Sequence, residues 1–138
     1  MQALNVLVVE DEALIAMLVE DALLLHGHSV VGVAEDEAEA MAIVARETID
    51  IALCDVKLAS GDNGTEIAAM LAARGIPCLY VSGNCPAGDP NPLVIGCVSK
   101  PFATAALGRA VDAAYRIAHG DFDASIPAQM RLFGPPPL

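Results

Sequence analysis

Positive charge is scarce in this chain. Seven Lys and Arg stand against eighteen Asp and Glu in 138 residues, a net charge of −11. The seven are scattered singly, which leaves no basic surface of the kind a phosphate backbone demands, and nucleic-acid binding is not expected. Long apolar runs are also missing. Hydrophobic residues make up 55% of the chain, yet the longest unbroken run, Ala13 to Val19, is seven residues, and a membrane span needs about 20. The N-terminus lacks a basic n-region and reaches Glu10, Asp11 and Glu12 before a signal-peptide core can form. No export signal is read, and the expected compartment is the cytoplasm. No two of Cys54, Cys78, Cys85 and Cys97 form a CxxC pair. They are expected to be small apolar fillers with free thiols in a reducing compartment, not a disulfide or zinc site. His26, His28 and His119 share no metal-binding spacing, so none is proposed as a ligand.

What is present is an alternation of elements long enough for a single domain core. Strand-like runs at Leu4–Val9, Ser29–Val33, Ile51–Cys54, Cys78–Val81 and Val94–Val98 are nearly continuous in apolar residues, as in a parallel sheet covered on both faces. Between them lie helical patterns. In residues 12–26, Leu14, Leu18, Ala22 and Leu25 recur at helical spacing beside Ile15, Val19 and Leu23. Asp36 can cap a helix starting near Glu37, Asn63-Gly64 precedes another running to about Arg74, and a last helix is expected from Thr104 to His119. Gly27, Gly75 and Gly120 each follow a potentially cationic residue and read as C-caps. Between the fourth and fifth strands, residues 84–92 carry three prolines and a glycine, so the fourth helix is expected to be short or missing. Right-handed crossovers then close a doubly wound, five-stranded parallel α/β sheet. Residues 1–120 are expected to form this domain and 121–138 a tail, whose "IPAQMRLF" stretch can fold onto its own domain or, as the second reading, bind a partner, with no effector domain following.

In such a sheet, ligands gather at the carboxyl ends of the strands. Just past those ends stand Glu10, Asp11 and Glu12, then Asp55 in "ALCDVKL", Ser82 in "LYVSGN" and Lys100 in "VSKPF". Crowded carboxylates repel, so the acids point to an oxygen-ligated divalent cation, most plausibly Mg²⁺. Asp55 can then be ligand and nucleophile, since carboxylates accept phosphoryl groups as aspartyl phosphates. Lys100 supplies a second positive charge and Ser82 a hydroxyl for the transferring group. Tyr80, in a buried strand, is expected to belong to the core.

With "VVEDE", "LCDVKL", "YVSGN" and "SKPF" in order over residues 4–119, the chain resembles the receiver domain of bacterial two-component response regulators, the CheY-like fold with flavodoxin-like strand order 2-1-3-4-5. The resemblance implies that Glu10 and Asp11 bind the metal with Asp55, and that the backbone carbonyl of Lys57 completes the shell. It implies that Asp55 is the phosphoacceptor, Ser82 the switching hydroxyl and Lys100 the salt-bridging lysine before a Pro that is often cis. Gly83 falls where a small residue keeps the site open; Lys57 and Asn84 fall where access of the hydrolytic water is tuned. Where the family places a switch aromatic, three residues before the lysine, this chain has Cys97. That departure, the proline-rich fourth connection and "KPFATAAL" resemble a subset of single-domain regulators common in alphaproteobacteria, often paired with kinases of the HWE or related type.

The function implied is a stand-alone phosphoreceiver. A sensor histidine kinase or a histidine phosphotransfer protein would supply the phosphoryl group in a Mg²⁺-dependent reaction. Output would pass through contacts with a downstream protein or by draining phosphate. On this reading the chain is no enzyme beyond its own phosphorylation and dephosphorylation. The rivals are a phosphorylation-independent interaction module of the same fold, and a phosphohydrolase using Asp55. The second expects an acid-base aspartate two residues after the nucleophile, where Lys57 stands.

Overall fold

The computed structural model describes residues 3–58 and 61–134. Five strands form the parallel part of one sheet: β1 (Asn5–Val9), β2 (Ser29–Ala34), β3 (Ile51–Asp55), β4 (Cys78–Ser82) and β5 (Val94–Ser99). Their order is the expected 2-1-3-4-5. A sixth strand, β6 (Met130–Leu132), extends it by pairing antiparallel with β5. The tail thus folds onto its own sheet; its terminal Pro-Pro-Pro-Leu lies outside the described residues.

Helices α1 (Ala13–Leu25) and α4 (Thr104–Ala118) cover one face, α2 (Glu37–Arg46) and α3 (Gly64–Ala72) the other. Because both faces are covered, β3 and β4 are buried at every residue. The caps are those the sequence offers. Asp36 accepts from the Glu39 N–H at 2.9 Å, and Asn63 from the Thr65 N–H at 2.9 Å. Gly27, Gly75 and Gly120 all take positive φ after their helices, a conformation that costs a Cβ-free residue little.

Two expectations need correction on this frame. α1 buries Ala16, Val19, Ala22 and Leu23, whereas Leu14, Leu18 and Leu25 of its apolar stripe are exposed. α1 turns the small Ala16 and Ala22, with Val19 and Leu23, inward, and at its C-cap His26 packs so closely on α4 that a Cβ on Gly108 would collide with it. α3 ends at Ala72 rather than Arg74, with Ala73 as its C-cap.

No helix joins β4 to β5 among the described residues, as the prolines demand. Residues 83–93 are instead fastened by side chains. The Tyr80 hydroxyl donates to Asp89 at 2.8 Å, and the ring of Phe133, just after β6, lies tilted at 59° to the Tyr80 ring with centroids 5.9 Å apart. Tyr80 itself is fully buried, a core residue as expected, and burial together with Asp89 pushes its phenol well up.

Candidate functional site

The carboxyl ends of β1, β3, β4 and β5 bring the candidate residues to one edge. Lys100 Nζ lies 3.0 Å from Glu10 Oε1 and 3.3 Å from Asp55 Oδ2, a three-member ion-pair cluster. Glu10 is 4% exposed and Asp55 8%, so both carboxylates need partners to stay buried. Burial raises the Glu10 carboxyl, and the hydrogen bond and charge of Lys100 only partly oppose this. Burial would lower the Lys100 ammonium, but Glu10 and Asp55 together outweigh it and hold the pKa above its ordinary value.

Asp11 follows half-buried, and one carboxylate oxygen from each of Glu10, Asp11 and Asp55 fits within a 4.8 Å group. Three hard oxygen donors on a largely buried edge suit a Mg²⁺-sized cation, with Lys100 occupying part of that charge-compensating role in the structure. Glu12 is exposed, and its N–H donates to Glu10 Oε2 at 3.3 Å; its side chain makes no cap to α1.

Backbone geometry tightens the edge around Asp55. The Lys57 N–H donates to Asp55 Oδ1 at 3.3 Å, while residue 57 pairs with Asn63 in an isolated antiparallel bridge. The start of α3 then runs so near β3 that a Cβ on Gly64 would overlap the Asp55 carbonyl. The Asn63-Gly64 pair is legible as a helix start, but this second demand on Gly64 comes from a contact the sequence does not display. A Cβ on Gly83 would meet nothing within 4 Å, so a side chain there would project into open space.

Ser82, 6% exposed, accepts the Asn84 N–H on its Oγ at 3.1 Å, and its carbonyl accepts the Lys100 N–H at 2.9 Å. The hydroxyl-bearing strand end and the lysine-bearing strand end are therefore joined directly. The Lys100–Pro101 peptide is cis.

Two tail residues that sequence reasoning passed over hold the flanking loops. The Gln129 side chain accepts from the Ala103 N–H at 2.9 Å and donates to the Pro101 carbonyl at 2.9 Å, just past Lys100. Arg131 on β6 donates to the carbonyls of Cys85 and Pro86, just past Ser82. A lone Gln and a lone Arg in a tail carry no signal of such roles.

The cysteine expectation fails for half the set. Cys85 and Cys97 form a disulfide, while Cys54 and Cys78 are free and buried. The loop without a helix folds back on β5 and brings residue 85 against residue 97, a juxtaposition that spacing along the chain does not reveal.

The fold and the edge have counterparts among known proteins. The phyllosphere-induced regulator PhyR of Methylorubrum extorquens is 30% identical over 118 residues, covering 81% of this chain and 43% of that protein. The chain therefore spans less than half the length of this curated relative. The solved receiver domain of Erythrobacter litoralis PhyR is similar at a TM-score of 0.69 and 28% identity, over 83% of this chain and 91% of that one. SdrG from Sphingomonas melonis Fr1 is similar at a TM-score of 0.64 and 34% identity, over 83% and 98%. The family model of the response regulator receiver domain matches residues 6–112, from β1 into α4 and across the whole acidic edge, and the chain belongs to that family.

Proposed function

We propose that this receiver domain accepts a phosphoryl group on Asp55 from phosphohistidine of a sensor histidine kinase, of the HWE or another type, or of a phosphotransfer protein. The observation that carries the reading is the Lys100 ammonium set between Glu10 and Asp55 on a buried edge shared with Asp11. Mg²⁺, held by Glu10, Asp11, Asp55 and the Lys57 carbonyl, would supply positive charge against the phosphoryl oxygens.

The chain's own groups do the rest. A carboxylate oxygen of Asp55 attacks phosphorus, the bond to the histidine nitrogen breaks, and the imidazole leaves with the electron pair. Lys100, already paired with Asp55, turns toward the new phosphoryl oxygens. Ser82, one backbone hydrogen bond from Lys100, offers its hydroxyl to the same group. Because Ser82 and Lys100 each sit at the root of a loop held by the tail, movement at the edge is passed to residues 83–93 and 101–103.

Output by contact with a downstream protein follows from that movement; draining phosphate from the donor needs only the transfer to Asp55 and its later hydrolysis. Similarity to PhyR regulators supports a signalling role. No described helix is long and apolar enough to cross a membrane. The test is transfer from a labelled phosphohistidine protein with and without Mg²⁺. Label should pass to the wild-type chain only with Mg²⁺ and not to Asp55→Asn; label retained by that variant contradicts the assignment.

A further inference from the structure

We propose that Cys85 and Cys97 are a reversible thiol–disulfide site that locks the loop following Ser82. Cys97 is fully buried on β5, three positions before Lys100. Cys85 is half-buried in the loop, three positions after Ser82. Their Cα atoms lie 5.9 Å apart, so pairing and unpairing ask for no rearrangement of β5.

The lock matters because this loop has no helix of its own. Its other attachments include the hydrogen bonds Asn84 N–H to Ser82 Oγ, Tyr80 to Asp89, Arg131 to the Cys85 and Pro86 carbonyls and, at its far end, Cys78 N–H to the Leu93 carbonyl. Among the described residues the disulfide is the one covalent tie between the loop and the sheet. The remaining thiols stay apart from this chemistry. Cys54 and Cys78 are buried in the core, and their mutual contact, with burial, raises the Cys78 thiol well above its ordinary value.

Reduction is written for a small dithiol. Its thiolate attacks Cys85 Sγ, the accessible sulfur; the Cys85–Cys97 bond breaks, a mixed disulfide forms on Cys85, and Cys97 leaves as a thiolate that takes a proton. The second thiol of the reagent displaces Cys85, which also ends as a thiol, and the reagent becomes a cyclic disulfide. Reoxidation by a small-molecule disulfide runs the same exchange in reverse. The coupling to signalling rests on the reading of Asp55 given above. With the bond closed, the loop stays where Asn84 caps Ser82; with it open, the loop is free to follow a phosphoryl group, and phosphorylation is faster.

The test uses the full chain, oxidised with glutathione disulfide or reduced with dithiothreitol, and the variant Cys85→Ser. Native alkylation with peptide mapping should label Cys85 only after reduction, with Cys54 and Cys78 unlabelled in both states. Amide hydrogen exchange in residues 83–93 should rise several-fold on reduction while β1 and β3 stay unchanged, and Cys85→Ser should match the reduced chain in either buffer. With acetyl phosphate and Mg²⁺, the reduced chain and Cys85→Ser should gain phosphate several-fold faster than the oxidised chain. Cys85 labelled in both states, or equal exchange in both, overturns the lock. Unequal exchange with equal phosphorylation rates overturns its coupling to Asp55. Absence of phosphate in every state contradicts the Asp55 reading alone, and labelling and exchange still decide the lock.

Discussion

Two regions around the sheet, the α1/α4 face and the β4–β5 connection, are built on different principles. Over β1, β3 and the α1/α4 face, whole helices bury contiguous side chains such as Leu23, Leu53, Leu107 and Val111. Around the β4–β5 connection there is no helix, and the loop is pinned at single points by a disulfide, Tyr80 and Arg131, with Phe133 against the Tyr80 ring and Gln129 tying the next loop at residues 101–103. A face packed over many contacts opens only with the whole domain, while a loop held by a few separate ties can open by itself. The candidate site lies on the border of the two, with Glu10 and Asp55 on the rigid side and Ser82 and Lys100 at the roots of the pinned loops. That placement lets a fixed acceptor report to a movable surface.

Core truncation should separate the halves most strongly. Leu107→Ala removes a fully buried side chain of α4 and should cost about 2–5 kcal/mol in urea unfolding. Phe133→Ala, at the half-buried pinned end, should cost about 1 kcal/mol with the same unfolding slope. Equal losses would mean that the tail belongs to the core as fully as α4 does.

A smaller contrast comes from glycines. Gly64→Ala drives a methyl into the Asp55 carbonyl and should destabilise by about 1–3 kcal/mol, whereas Gly88→Ala, in the loop with nothing within 4 Å, should stay within about 0.5 kcal/mol. Thermal or urea unfolding of the pair checks this. Should Gly64→Ala prove neutral, the approach of α3 to β3 is looser than drawn.

Arg131→Ala should leave global stability within about 1 kcal/mol yet raise hydrogen exchange in residues 83–93 and not in α1 or α4. Exchange rising evenly across the domain would erase the distinction between a packed and a pinned cover.

The smallest effect is a pH slope on the packed side. His28 is 2% exposed, accepts the Leu4 N–H on Nδ1 at 3.1 Å, and leaves Nε2 without a hydrogen-bond partner beside the Gly108 backbone. Burial, then the neighbouring His26, lowers its pKa below the ordinary 6.5. The unfolded chain therefore binds more protons below that value. Stability should be full above pH 6.5 and fall as pH drops from 6.5 toward the lowered folded value. Denaturation from pH 7 to 5 should show this contribution as a difference from His28→Asn, whose Oδ1 stands where Nδ1 accepts and which does not titrate.

Sequence patterning and structure agree where the physics is periodic or local. The five apolar runs, the caps at Asp36 and Asn63 and the glycine stops each depend on neighbours a few residues away, so they are legible without coordinates. The acidic edge is legible for another reason: a known strand order sends the residues after each strand to the same place, and Glu10, Asp55, Ser82 and Lys100 do meet there. What escapes depends on long-range pairing with no periodic mark. The union of Cys85 with Cys97, the reach of Gln129 and Arg131 and the exposure of Leu14 and Leu25 on a mostly apolar helix are set by which surfaces meet.

The central claim is that Asp55 carries the phosphoryl group. Treating the chain with acetyl phosphate and Mg²⁺ and then with borohydride converts an acyl phosphate on aspartate to homoserine, which peptide mapping locates. Homoserine at position 55, dependent on Mg²⁺, is the expected result. A reduced acyl phosphate at another acid of the edge, homoserine at Asp11 or 2-amino-5-hydroxypentanoic acid at Glu10 or Glu12, or no reduced residue at all under conditions where a control receiver is labelled, would contradict it.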